Sequence, residues 1–262
     1  MFLRKGTLYF KITAGDGAIP ISNAKITVYG EGINETVLYT DESGISCDII
    51  LPAPDKETSL SPNQKDPYAK YNAKIEKDGY IPVRILGIEV FDGIKSVSEM
   101  DMQPYPKGRT GLEIVYNIPG NALEFDTPRN AENPQYDERI LKNVIIPNYI
   151  TVHLGAPNNN SVSNITTNFV NYIKNVASSE IYPTWPENAL RANIIAQISF
   201  ALNRVYTEWY RSRNYPFDIT NNTAYDQYFV PGRNIYENIS RIVDEIFNNY
   251  AVKGQYVNPY FT

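Results

Sequence analysis

The sequence predicts an α+β protein, an all-β sandwich followed by a mainly helical domain. Three observations predict it. Short β-branched runs with alternating polarity fill the first part of the chain, broken by Gly, Asn, Asp and Ser. Apolar residues return at helical spacing in the last part. Between the two lies a stretch rich in Pro, Gly, Asn and charge. The expected division is 1–107 for the sandwich, 108–147 for a connector and 148–262 for the second domain. A chain of 262 residues, 42% of them hydrophobic, can bury one large core or two ordinary ones.

In chain order, "GTLYFKITA" alternates as a strand and "GAIPISNA" is a turn-rich connection. "KITVYG", "ETVLYTD" and "GISCDIIL" follow as short strands. "YNAKIEKDGYIPVRILGIEVF" reads as a hairpin turning at Asp78-Gly79, and "IKSVSEMDMQPYP" closes the series. Strands this short and this regularly spaced predict a sandwich. Residues 52–68 are a polar, Pro-containing loop inside it, and the connector has only "GLEIVYNI" and "RILKNVII" as apolar runs. "VIIPNYITVHLG" reads as a strand pair or one long strand, and "PNNNSVSN" as a loop. Phe169, Ile173 and Val176 then mark a helix. The next helix is expected to begin at Pro186, with Glu187 suiting its positive start. Its apolar face runs Leu190, Ile194, Ile198, Ala201, Val205 and Trp209. Ile235, Ile239, Ile242, Ile246 and Tyr250 predict a further helix after the irregular "NYPFDITNNTAYDQYFVPGRN".

Composition excludes several functions. The formal charge of −5 argues against a nucleic-acid partner, because phosphate binding needs concentrated positive charge. No apolar run is long enough to span a bilayer, and the opening "MFLRKGTLYFKITAGDGA" reads as a strand and not as a signal peptide. One Cys (Cys47) and one His (His153) allow no intrachain disulfide and no Cys/His zinc site. His153 sits in alternating "YITVHLG" and reads as a strand-packed side chain. The Asn-X-Ser/Thr triplets carry no weight in a chain so rich in Asn.

The segment "SSEIYPTWPENALRANIIAQ" places one acid, Glu180, at a joint between two helices. There it lies at the negative end of its helix, where a carboxylate is mildly disfavoured. That end and burial against Tyr182 and Trp185 would both favour the protonated form, whereas the nearby positive start of the following helix would oppose it. An acid that holds its proton near neutrality suits general-acid catalysis. Tyr182, Trp185, Tyr225, Tyr228 and Phe229 are candidates to stack on the apolar face of a sugar, and each serves equally well as ordinary packing.

Two resemblances add to this reading. The pattern from "GTLYFKI" through "PISNAKITVYG" to "TDESGI" resembles transthyretin-like, Ig-like or carboxypeptidase-regulatory-like sandwiches, which usually act as structural appendages. "NYIKNVASSEIYPTWPENALRANIIAQISFALNRVY" resembles the signature of the SpoIID/LytB-like group: Tyr-x-x-x-Val-x-x-x-Glu, then Trp-Pro-x-x-Ala-Leu-Lys-Ala-Gln. Together with "VIIPNYITVHLGAP" and "GRNIYENISRIVDEIFNNY" it is similar, within that group, to the spore cortex-lytic enzymes of clostridia.

What the SpoIID resemblance implies is lytic transglycosylase activity on peptidoglycan glycan strands, in the spore cortex, coat region or cell wall. Glu180 takes the place of the catalytic glutamate. Arg191 and Asn193 stand at the family's lysine and glutamine, and Gln227 near a further glutamine. Tyr182, Trp185, Arg191, Gln227 and Tyr228 are the expected substrate contacts. No cofactor and no metal are expected, since "TNNTAYDQ" lacks the Cys and His with which family members often bind zinc. Asp218 and Asp226 remain as second carboxylates for hydrolysis, though both also look like turn and cap acids. The family's arginine is replaced by Ile198, and its Gln-Trp-Gly stretch and final helix do not precede the closing "VKGQYVNPYFT", which implies an incomplete catalytic domain. A non-catalytic peptidoglycan-binding or spore-assembly module is the alternative.

Overall fold

The structure, a computed structural model, describes residues 4–60, 67–125, 144–253 and 256–257. Part of the polar loop (61–66), the connector from 126 to 143, and 254–255 and 258–262 of the closing stretch lie outside the described residues. Sheets and helices are both present, so the chain is α+β. It divides into two compact units. The first is Met1–Gly120 with Tyr182–Trp185 and Pro231–Asn238, and the second is Asn121–Ile181, Pro186–Val230 and Ile239–Thr262.

The first unit holds two five-stranded sheets. In one, β1 (Arg4–Ala14) pairs with β2 (Ile19–Pro20), with β5 (Ile49–Ala53) and, in parallel, with β8 (Lys95–Asp101). In the other the order is β4 (Thr36–Tyr39), β3 (Lys25–Gly30), β6 (Ala69–Glu76), β7 (Val83–Val90) and β9 (Ile114–Asn117). A short helix, α1 (Glu57–Leu60), follows β5. The alternation read from the sequence is the alternation of burial: Leu8, Phe10 and Ile12 of β1 are fully buried, and Lys11 between them is exposed. Ile26 and Val28 of β3, Ala73 and Ile75 of β6, and Val83, Ile85 and Ile88 of β7 line the same core. Each of the Val, Leu, Ile and Phe side chains among them contributes about 1.5–3 kcal/mol on full burial.

The β6–β7 hairpin turns where Asp78-Gly79 predicts, with Gly79 at φ 83°. A bulge at Tyr71/Asn72 lies opposite Gly87, whose φ is 90° and whose place leaves only 2.5 Å between an added Cβ and the Ile118 carbonyl oxygen. Glycine alone allows that approach, which lets β9 run parallel to β7. β9 falls within the stretch expected as connector.

The segment 231–238 enters the first sheet through β13 (Ile235–Tyr236), antiparallel to β8. (The sheets of the second unit supply β10 to β12, below.) Periodicity predicts Ile235 as helical, but its backbone hydrogen bonds go to the sheet. A buried ion pair fixes the segment. Arg233 Nη1 lies 2.5 Å from Glu89 Oε1, with both side chains fully buried. Tyr236 donates its hydroxyl to Glu89 Oε2 at 3.1 Å, and Asn234 Nδ2 donates to the Glu89 carbonyl at 2.9 Å. Burial, then the Glu89 charge, pushes the Tyr236 phenol well above its usual range, so it stays a donor.

In the second unit, β10 (Tyr149–His153) pairs with β11 (Asn164–Asn168) antiparallel and with β12 (Ile219–Thr220) parallel. β11 has no apolar face: "NITTN" alternates only between exposed and half-buried, so nothing in its polarity marks a strand. It runs directly into α2 (Phe169–Glu180), where the Asn168 side chain caps the Val170 and Asn171 N–H groups. The following helix is α3 (Glu187–Tyr206). Pro186 is its cap and not its first helical residue, with φ −53° and ψ 140°. α3 ends before Trp209, which lies in the next turn. A last helix, α4 (Glu237–Ile246), buries Ile239, Ile242 and Ile246 as the spacing predicts. The short strands β14 (Val252–Lys253) and β15 (Tyr256–Val257) follow it in the chain and pair with each other. His153 is strand-packed, stacked on Phe217 with ring centroids 4.4 Å apart and bonded at Nδ1 to Asn164. No helix among the described residues is long and apolar enough to cross a membrane.

Replacing Arg233 by Met strands the Glu89 carboxylate in the core of the first unit. The expected loss is about 3–5 kcal/mol, which is what breaking a buried pair typically costs. Urea unfolding followed by a probe in that unit measures it.

Candidate active site

The site is built on α2. Tyr172, Asn175 and Glu180 lie along this helix and together hold the irregular stretch Gln227–Val230. Asn175 acts like a short piece of strand: its Oδ1 accepts from Val230 N at 2.8 Å and its Nδ2 donates to Val230 O at 2.8 Å. Asn221 Nδ2 adds a bond to Phe229 O at 3.0 Å, and Phe229 stacks on Tyr172 with centroids 5.6 Å apart.

Glu180 is the last residue of α2 and is half-buried. Its Oε1 accepts the backbone N–H of Tyr228 at 2.8 Å, and its Oε2 accepts Gln197 Nε2 at 2.9 Å. Gln197 projects from the buried face of α3. Its own carbonyl accepts Gln227 Nε2 at 3.0 Å, and Gln227 Oε1 accepts the Tyr172 hydroxyl at 3.1 Å. Burial pushes the Tyr172 phenol well above its usual range, with Asp226 and Glu180 adding to it, so Tyr172 remains protonated and donates. The result is one connected set: Tyr172, Gln227, Gln197, Glu180 and the Tyr228 amide. The Phe125 ring, 48% exposed, meets the Tyr228 ring edge-on at 6.2 Å. The half-buried Glu180 carboxyl is thus held in a fixed orientation by hydrogen bonds to both of its oxygens.

Of the residues expected at the site, Glu180, Gln227 and Tyr228 come together. Tyr182 and Trp185 belong to the first unit. There Tyr182 packs against Tyr68, Phe91 and Trp185, and Trp185 Nε1 donates to Ser59 O at 3.2 Å. Arg191 forms a surface network in the second unit: it bonds Glu187 at 2.8 Å and also Glu245, and Arg241 bonds both acids at 2.9 Å. Asp226 is wholly occupied. Its Oδ1 accepts Arg204 Nε at 2.7 Å, and its Oδ2 accepts the Tyr210 hydroxyl at 2.5 Å and Thr220 Oγ1 at 2.7 Å. Asp218 accepts from Thr151 N and Arg211 Nε at 2.8 and 2.7 Å. Gln197, Tyr172 and Asn175 are members of the cluster that the sequence reading missed. One signal was present for Gln197, a polar residue inside the apolar stripe of α3. No group of three or more His, Cys, Asp or Glu among the described residues is placed to hold a metal ion.

The family comparison is specific to this part of the chain. Residues 158–248 match the SpoIID family model, "Stage II sporulation protein". The matched stretch contains Glu180 and every hydrogen-bonding partner named for it above. The SpoIID match is consistent with a cell-wall-related sporulation protein. No curated protein matches the chain. Among solved structures, the Bacillus anthracis TIE protein is similar at 18% identity and a TM-score of 0.28, over 38% of this chain and 17% of that one. A catechol 1,2-dioxygenase from Acinetobacter is similar at 14% identity and 0.28, over 44% of this chain and 59% of that one. A putative carbohydrate binding protein from Bacteroides uniformis is similar at 17% identity and 0.27, over 38% and 41%. The chain therefore spans less than two thirds of each of these structures.

Two predictions follow from the charges around the site. Asp226→Asn leaves Arg204 buried opposite a neutral group; the expected loss is a few kcal/mol (about 3–5 for a fully broken buried pair), read by thermal or urea unfolding. In the surface network, hydrogen bonds from Arg241 lower the Glu187 carboxyl and those from Arg191 lower Glu245. A depressed folded-state value stabilises above the unfolded carboxyl range of about 4.3, and the effect fades as pH falls through the folded value. The stability difference between the protein and its Glu187→Gln, Glu245→Gln variant should be flat above about pH 6 and shrink in acid.

Proposed function

We propose that the protein is a peptidoglycan lytic transglycosylase with Glu180 as its single acid and base. The observation that carries this reading is the Glu180 carboxyl held between the Tyr228 amide and Gln197, inside the stretch that matches SpoIID. In the first half-reaction the Glu180 carboxyl gives its proton to the oxygen joining N-acetylmuramic acid C1 to N-acetylglucosamine. The C1–O bond breaks and its electron pair leaves with that oxygen. In the second half, Glu180 as carboxylate takes the proton from the 6-hydroxyl of the same muramic acid, and that oxygen bonds to C1. The product carries a 1,6-anhydro ring, Glu180 regains its proton, and no water is consumed.

An ordinary glycosidase needs a second carboxylate to activate water or attack carbon. The full engagement of Asp226 with Arg204, Tyr210 and Thr220 supports a chemistry that does without one. Tyr228, with Phe125 beside it, is the sugar-stacking contact on this reading. Gln227 acts through its bond to Gln197. Arg191 is the further substrate contact proposed within this unit. The likeness to the clostridial spore cortex-lytic enzyme SleC, the transthyretin-like character of the sandwich, and a place of action in the spore cortex or cell wall belong to the same proposal.

The test is digestion of purified cortex-type peptidoglycan, with mass spectrometry of the ends. Anhydromuramyl ends are expected, reduced about 10²–10⁴-fold by Glu180→Gln, the range for loss of a general acid. Reducing ends overturn the transglycosylase assignment. Binding without cleavage in both proteins favours a non-catalytic peptidoglycan-binding or assembly module.

A further inference from the structure

We propose that Gln197 is the positioning residue that keeps Glu180 aimed in both of its protonation states, by a half-turn of its terminal amide. The inference rests on the single-acid reading above. In that chemistry one carboxyl must alternate between acid and carboxylate, and its orientation has to survive the change.

The Tyr228 and Gln197 donors at Glu180 differ in what they can do. The Tyr228 amide is a fixed N–H and can only donate to Oε1. Gln197 carries a donor and an acceptor on one rotatable group. Its Nε2 now donates to Glu180 Oε2 at 2.9 Å, which suits the carboxylate. Its Oε1 is buried and has no hydrogen-bond partner among the described residues. Turning the amide over therefore sacrifices no acceptor bond, and it presents Oε1 to a proton on Glu180 Oε2.

The rest of Gln197 is held still. It is 3% exposed, it sits inside α3, and its carbonyl accepts Gln227 Nε2, which the Tyr172 hydroxyl orients in turn. Motion is thus confined to the amide itself. The ionisable groups that interact with Tyr172 in this cluster are Asp226, Glu180, Arg204 and Tyr210. None of them is the partner of Gln197 Oε1.

The test uses the whole chain with Gln197→Met, which keeps length and volume but can neither donate nor accept strongly. We expect kcat on peptidoglycan to fall about tenfold to a hundredfold with KM unchanged, the scale of a misaimed catalytic group. Infrared difference spectra between acid and neutral pH, with Glu180→Gln as reference, read the protonated Glu180 carbonyl without any turnover. That band should move to higher frequency in Gln197→Met, because its O–H loses an acceptor. In the unmutated protein the side-chain ¹⁵N–H signals of Gln197 should shift with the same midpoint as the band. This measurement does not depend on whether the Met variant folds. An unchanged band, or Gln197 signals that ignore the titration, overturns the proposal, even if kcat falls. A shifted band in a protein that makes no anhydro ends upholds the role of Gln197 and overturns the transglycosylase reading instead.

Discussion

The geometry around Glu180 depends on the pairing of Asn175 with Val230. Gln227–Val230 has no regular partner strand, so its backbone groups need hydrogen bonds from elsewhere. Asn175 answers both the N–H and the carbonyl of Val230, as a strand residue would. With Val230 so held, the Tyr228 N–H donates to Glu180 and the Gln227 side chain lies between Tyr172 and Gln197. An unpaired buried amide is costly, of the order of 1–3 kcal/mol, so the stretch has little freedom to drift.

Arg204 and Asp226 fix the other end of that stretch. Asp226 ties Thr220 of β12 to the turn just before Gln227, and Arg204 brings α3 to the same point. Ion pairs of this kind do not add much stability in themselves, but losing one partner is severe. Their effect here is positional: β12, α3 and the Gln227 stretch share one anchored corner. The Glu89–Arg233 pair does the same work within the first unit, where it holds the segment that returns to the sheet as β13. In both units, a buried ion pair secures a part of the chain with little regular secondary structure of its own.

The lone acid of "SSEIYPTWPENALRANIIAQ" was legible for physical reasons. A carboxylate at the negative end of a helix is out of place unless something retains it, and Glu180 is retained by Gln197 and Tyr228. The aromatic residues nearest to it in sequence were a poorer guide. Tyr182 and Trp185 are two and five positions away, yet they pack in the first unit, while Phe125 approaches Tyr228 from far along the chain. Helical periodicity marked Gln197 only as an interruption of an apolar stripe. Its bond to Glu180 appears once α2 and α3 are packed.

The amino-acid order by itself determined the α+β class, the runs that become β1, β3, β6 and β7, the hairpin at Asp78-Gly79 and the cores of α2, α3 and α4. These follow from residue period and turn chemistry, which act over a few positions. Tertiary structure decided the parallel pairings of β1 with β8 and β7 with β9, the strand character of Ile235, the polar strand β11 and the company of Glu180. Each of these is a hydrogen bond between groups distant in the chain. Such bonds use the same backbone and amide groups found at nearly every position, and so leave no local pattern to read.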